Sequence, residues 1–181
     1  AVYDPYPTHP NLPFDHPLHL VTSPEAALAD ADVVLVVDSD VPWTPKRAEP
    51  RPDATVIGLA ADPLYSRYPV RGFRVDINLP GSTRLTLAAL HGEVARRPLD
   101  GPATDERRAA VGRDAARLRA AADERAVIAR GAGVLQKPWF TRCLDEVLDD
   151  GAIIVDELGC DITQLQRTTT DLTERGEKLM R

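Results

Sequence analysis

The chain has 181 residues, and its 22 Lys plus Arg against 28 Asp plus Glu leave a formal charge of −6 and a pI near 5.2. That length holds one domain or two incomplete ones. An acidic excess without clustered cations argues against a phosphate-backbone binder, so nucleic acid is not an expected partner.

Residues 1 to 24 carry six of the sixteen prolines and three of the four histidines, without helical or strand periodicity, and read as an extended surface segment. Ser23-Pro24-Glu25 then has the form of a helix start: a capping hydroxyl, a proline at the first position and an acid at the positive dipole end. A short helix over 24–30 is expected. Val33 to Val37 is a continuous β-branched and Leu run closed by Asp38, the pattern of a parallel strand buried on both faces. It is also the longest apolar run. It is too short to cross a bilayer, and no charged head with an apolar stretch marks the N-terminus; a cytoplasmic protein with no membrane partner is expected.

Pro42, Pro45, Pro50 and Pro52 make 39–53 a loop. Thr55 to Ala60 reads as a second buried strand, closed by the turn pair Asp62-Pro63. Phe73, Val75 and Ile77 alternate with Arg74 and Asp76, which predicts a third, half-exposed strand. Ser82 caps a helix over 83–96 with Leu87, Leu90 and Val94 on one face.

Asp100-Gly101-Pro102 is expected to break the chain. From Thr104 to Arg130 the text is almost purely Ala, Arg, Asp and Glu, a connector helix without the apolar stripe that deep burial needs. Gly131 to Gly133 ends it. Lys137-Pro138 opens a further helix with Phe140, Leu144, Val147 and Leu148 on one face, and Ala152 to Val155 predicts a fourth strand. The tail from Thr168 is polar and weakly patterned.

Several constellations could carry chemistry. His9, His16 and His19 sit among prolines without supporting Asp, Glu or Cys at ligand spacing, so solvated or locally hydrogen-bonded imidazoles are expected, not a metal site. Asp38, Asp40 and Asp62 fall at or just past the C-terminal ends of predicted parallel strands, where open α/β sheets bind ligands; acids there also simply make turns. No dinucleotide or P-loop glycine motif supports the sharper reading. Trp43 is expected to pack over the sheet edge, and Tyr65, Arg67, Tyr68 and Arg71 are explained by local ion pairs. His91 has no nucleophile beside it. Cys143 and Cys160 fit neither a zinc site nor a redox pair and read as reduced thiols.

Three stretches, NLPFDHPLHL at 11–20, ADVVLVVDSDVPW from Ala31 to Trp43 and ATVIGLAADPLYSRYPVRGFRVDI at 54–77, together resemble the central domain of thiamine-diphosphate-dependent enzymes of the acetolactate synthase and benzoylformate decarboxylase group. PWFTRCLDEVLDDGAIIVDELGCDITQLQRT at 138–168 resembles the start of their C-terminal, diphosphate-binding domain. The resemblance implies an α/β chain: a parallel-sheet, Rossmann-like half-domain over 1–98, a linker helix over 99–135, and the first helix and strand of a second α/β domain over 136–181. It implies a fragment of a lyase or transferase that decarboxylates or condenses 2-oxo acids, inactive alone. Thiamine diphosphate and Mg²⁺ serve the full-length family, flavin (FAD) is an option in the central domain, and a full-length relative would be a homo-oligomer.

The family's cofactor-activating glutamate lies in a domain without counterpart here. Its Gly-Asp-Gly and Asn-Asn metal motif is also missing, Asn11 and Asn78 being the only asparagines. No catalytic residue and no metal ligand transfers. The resemblance places Gly159, Cys160 and Asp161 at the turn facing the cofactor diphosphate, where a carboxylate is repulsive unless a metal intervenes. It places Asp38, Asp40 and Asp62 near the flavin ribose of the flavin-containing relatives. The ending TTTDLTERGEKLMR departs from the family and suggests a truncated or frame-disrupted end. The alternative is a non-catalytic nucleotide-binding or scaffold module.

Overall fold

The computed structural model describes residues 1–4, 12–20, 23–149, 152 and 159–165. The chain is α/β and divides into two compact units, Ser23–Asp105 and Ala1–Thr22 with Glu106–Arg181.

In the first unit, α1 (Pro24–Leu28) starts as its residues dictate: Ser23 Oγ accepts the Ala26 N–H at 3.3 Å, and Pro24 sits in the first turn. Three parallel strands follow, β1 (Val33–Val37), β2 (Thr55–Ala60) and β3 (Ile77–Pro80), in the order β1-β2-β3. Val33 lies opposite Thr55, and Ile57 opposite Ile77. The middle strand is the buried one, with Val56, Leu59 and Ala60 sealed. β1 is therefore an edge strand rather than one enclosed on both faces: only Val36 is buried and Val33 is 54% exposed. The core gathers Leu28, Val36, Trp43 and Val56, with Phe73 edge-on to Trp43 at 5.3 Å.

The third strand lies later than its alternation suggests. The Asp76 side chain takes the Val56 N–H at 2.8 Å while its own N–H donates to the Val56 carbonyl, so a carboxylate replaces the backbone acceptor where the ladder would begin. Val75 instead lies over Gly58, where an added Cβ would meet its Cγ1 at 3.1 Å and Pro63 Cβ at 3.3 Å. Only glycine admits that approach comfortably. The helix after β3, α2 (Thr83–Ala95), buries no residue, and Leu87, Leu90 and Val94 stay exposed.

Helix α3 (Gly101–Gly131) includes the Gly-Pro pair expected to break it. Asp100 is the reason: its carboxylate accepts the Ala103 N–H and its carbonyl the Thr104 N–H, and proline is tolerated in a first turn because its missing donor is not needed there. The buried residues of α3 are all alanines, Ala115, Ala122, Ala126 and Ala129.

In the second unit, α4 (Lys137–Val147) opens with Pro138 in its first turn. Its fully buried residue is Thr141 and not the expected apolar face; Phe140 and Val147 are exposed. The Thr141 hydroxyl accepts the Asp161 N–H at 2.9 Å, which draws that side of the helix inward. A 3₁₀ turn, Ile162–Gln164, packs against α4. Within the N-terminal segment Val2 pairs with His19 in a parallel bridge, and of its described residues His19 and Leu20 are buried while most others reach the surface. The fourth strand, apart from Ala152, and the polar tail lie outside the described residues.

Candidate functional site

The C-terminal end of the parallel sheet gathers the acids singled out above. Asp38 follows β1 with φ of +46°, a left-handed conformation that Asp tolerates better than most residues. Its N–H continues the ladder to the Leu59 carbonyl at 2.9 Å, and its carboxylate accepts the Thr83 hydroxyl at 2.6 Å. Thr83 is the first residue of α2, so this bond ties the end of β1 to the start of a helix. Strand ends, a carboxylate and helix N–H groups together form the arrangement by which open α/β sheets hold hydroxylated and phosphorylated ligands. Asp38 is exposed and reachable from solvent.

Asp40 accepts the Tyr68 hydroxyl at 2.9 Å, and that bond, with the charge of the carboxylate, pushes the Tyr68 phenol above its ordinary value. Asp62 turns toward its own loop. Its carboxylate accepts the Ser66 hydroxyl at 2.7 Å and the Ser66 N–H at 2.8 Å, and these bonds hold it below the usual carboxylate range. Asp38 and Asp40 thus meet partners from α2 and the 62–76 loop, whereas Asp62 serves a turn.

Among the described residues Arg71 is engaged by aromatic rings and a carbonyl, not by an ion pair. Its guanidinium stacks 4.8 Å from the Tyr65 ring and 5.4 Å from Phe73, and Nη2 donates to the Ser39 carbonyl at 3.5 Å. Tyr65 has φ of +51°, and its phenol is pushed up by burial. Among the described residues the two non-glycine residues of positive φ are Asp38, directly after β1, and Tyr65, in the loop that follows β2, and such strained positions concentrate at ligand sites. Thr83 was missed by sequence reasoning: the hydroxyl expected to cap α2 was that of Ser82, which makes no side-chain cap bond, and only the sheet brings Thr83 to Asp38.

In the second unit, Cys160 and Asp161 line an open cavity of about 450 Å³ with Lys137, Pro138, Ile162 and Thr163. Gly159 precedes them and is exposed. Asp161 caps the 3₁₀ turn, its Oδ1 accepting from Thr163 N at 3.1 Å and Thr163 Oγ1 at 2.5 Å. The ammonium of Lys137 suits an anion there; the carboxylate of Asp161 does not. Behind this turn lies a polar network: the buried Gln164 donates to the Ala122 carbonyl at 2.6 Å and accepts from Arg142 Nε and Nη2 at 3.2 and 2.9 Å, while Arg142 also pairs with Asp123.

Among the described residues no three His, Cys, Asp or Glu side chains converge on a point that would hold a metal ion. Of the side chains lining this cavity Asp161 is the one carboxylate, and its Oδ1 is turned toward Thr163. His16 Nδ1 accepts the Leu18 N–H at 3.2 Å, His19 is buried, and His9 lies outside the described residues. Both cysteines are half-buried. No helix among the described residues is long and apolar enough to cross a membrane. No family model, curated protein or solved structure matches this chain.

Proposed function

We propose that these residues are an interior part of a thiamine-diphosphate-dependent enzyme that decarboxylates or condenses 2-oxo acids, as acetolactate synthase does. On this reading, 1–98 is the second part of the central domain, 99–135 its linker helix and 136–181 the start of the cofactor-binding domain. The observation that carries it is a parallel sheet whose first two strands run into Asp38 and Asp62, within segments whose order resembles that family. The cofactor carries the carbanion chemistry in such enzymes and the protein supplies its binding and orientation. The glutamate and metal motif that perform this in the family have no counterpart among these 181 residues, so catalysis belongs to the enzyme as a whole, cytoplasmic and homo-oligomeric.

The test has two arms. The 181-residue chain with thiamine diphosphate and Mg²⁺ releases no CO₂ from pyruvate or benzoylformate, and turnover there overturns the assignment of missing parts. The flanking coding sequence encodes the activating glutamate upstream and the Gly-Asp-Gly motif downstream; an unrelated flank overturns the family reading.

A second reading, a nucleotide-binding module without chemistry, draws on the Asp38 to Thr83 bond at the sheet end. Calorimetry with FAD, ADP and NAD separates the two. Binding of one of them that Asp38→Ala weakens about tenfold, the loss of roughly 1.4 kcal/mol, favours the module.

A further inference from the structure

The N-terminal segment pairs with the chain on either side of a histidine in an unusual setting. Val2 N–H donates to the Leu18 carbonyl and Leu20 N–H to the Val2 carbonyl, both at 2.8 Å, and His19 lies between those bonds, 2% exposed. Its Nδ1 is 3.2 Å from the Pro13 carbonyl, which only accepts, so that nitrogen carries the hydrogen of the neutral ring. Nε2 is then a buried lone pair. It has no hydrogen-bond partner among the described residues and sits 3.8 Å from Asp4 Oδ2, too far for a bond. Phe14 packs on the ring at 5.4 Å, and its carbonyl accepts from Arg119 of α3 at 3.4 Å.

We propose that His19 is an acid-released latch: with the imidazole neutral, residues 1–4 stay paired with 18–20, and a second proton on the ring opens that pairing. The charged and titratable groups around it pull in both directions. Burial, the largest influence, opposes a charged ring, as do His16 and Arg119; Asp4 and the Pro13 carbonyl favour one, and the balance leaves the imidazole below its ordinary 6.5. Once the segment opens, water restores the ordinary value. The open form therefore binds the proton more tightly, and acid favours it. The latch is at full strength above pH 6.5 and weakens as pH falls from there toward the depressed value of the docked ring.

Amide exchange by NMR tests this on the unmodified chain. The protection factors of Val2 and Leu20 fall by up to about tenfold for each pH unit below 6.5, one proton being coupled to one opening, while those of Asp38 and Gly81 in the sheet stay level. In His19→Gln the fall at Val2 and Leu20 disappears. Protection that is flat or rises on acidification in the unmodified chain, or an equal fall in His19→Gln, overturns the proposal. Should that variant not fold, direct titration of the His19 ring decides: a midpoint below 6.5 in the docked form supports the latch, and one at or above 6.5 removes it.

Discussion

The carboxylate of Asp38 and the hydroxyl of Thr83 meet at 2.6 Å across 45 residues of sequence, joining the end of one parallel strand to the first turn of α2. Thr83→Val keeps the shape and deletes the bond, and costs about 0.5–1.5 kcal/mol in urea denaturation. At position 38 the backbone adds its own demand. Asp38→Val places a β-branched residue in the left-handed region and costs about 1–2 kcal/mol more than Asp38→Asn, which tolerates that conformation.

Gly58 makes a volume argument. Val75 and Pro63 already crowd the place where its Cβ would stand, so Gly58→Val forces β2 and the 62–76 loop apart and costs about 1–3 kcal/mol. Thermal melting reads this as a lowered Tm. An unchanged Tm means that the loop yields freely.

The Gln164 network predicts coupling rather than simple loss. Gln164→Leu removes the second bond to the Ala122 carbonyl and leaves part of the Arg142 guanidinium without its acceptor, and costs about 1–3 kcal/mol. Arg142→Met removes the same contact from the other side. A double-mutant cycle on Gln164 and Arg142 returns about 0.5–3 kcal/mol of interaction, and additive effects refute the network.

Asp62 gives a pH prediction. Its depressed folded-state value means that it contributes stability above the ordinary 3.8 and loses it as pH falls through the folded value. Ser66→Ala deletes the largest cause, so carboxyl NMR then finds Asp62 titrating closer to 3.8.

How legible this was follows from the range of each interaction. Helix starts at Ser23 and Pro138 and strands at 33–37 and 55–60 were readable because capping and β-branched runs are local. The acids at 38, 40 and 62 were readable as strand-end residues for the same reason. What each acid bonds was not: Thr83, Tyr68 and Ser66 are partners chosen by the fold, at sequence distances that periodicity does not sample. The errors share that origin. Alternation at 73–77 was genuine, but the Asp76 side chain took a backbone role. Pro102 looked like a stop because proline's effect depends on whether a turn precedes it, and the Asp100 cap decides that.

Ala115, Ala122, Ala126 and Ala129 run down one line of α3 at intervals of seven, four and three. A methyl-only seam carries little attraction of its own; it specifies by exclusion, since any larger group would hold the opposing chain ångströms away. A single valine on the seam acts as a wedge along the whole contact, whereas the outward Arg119 and Asp123 carry contacts of their own, to the Phe14 carbonyl and to Arg142.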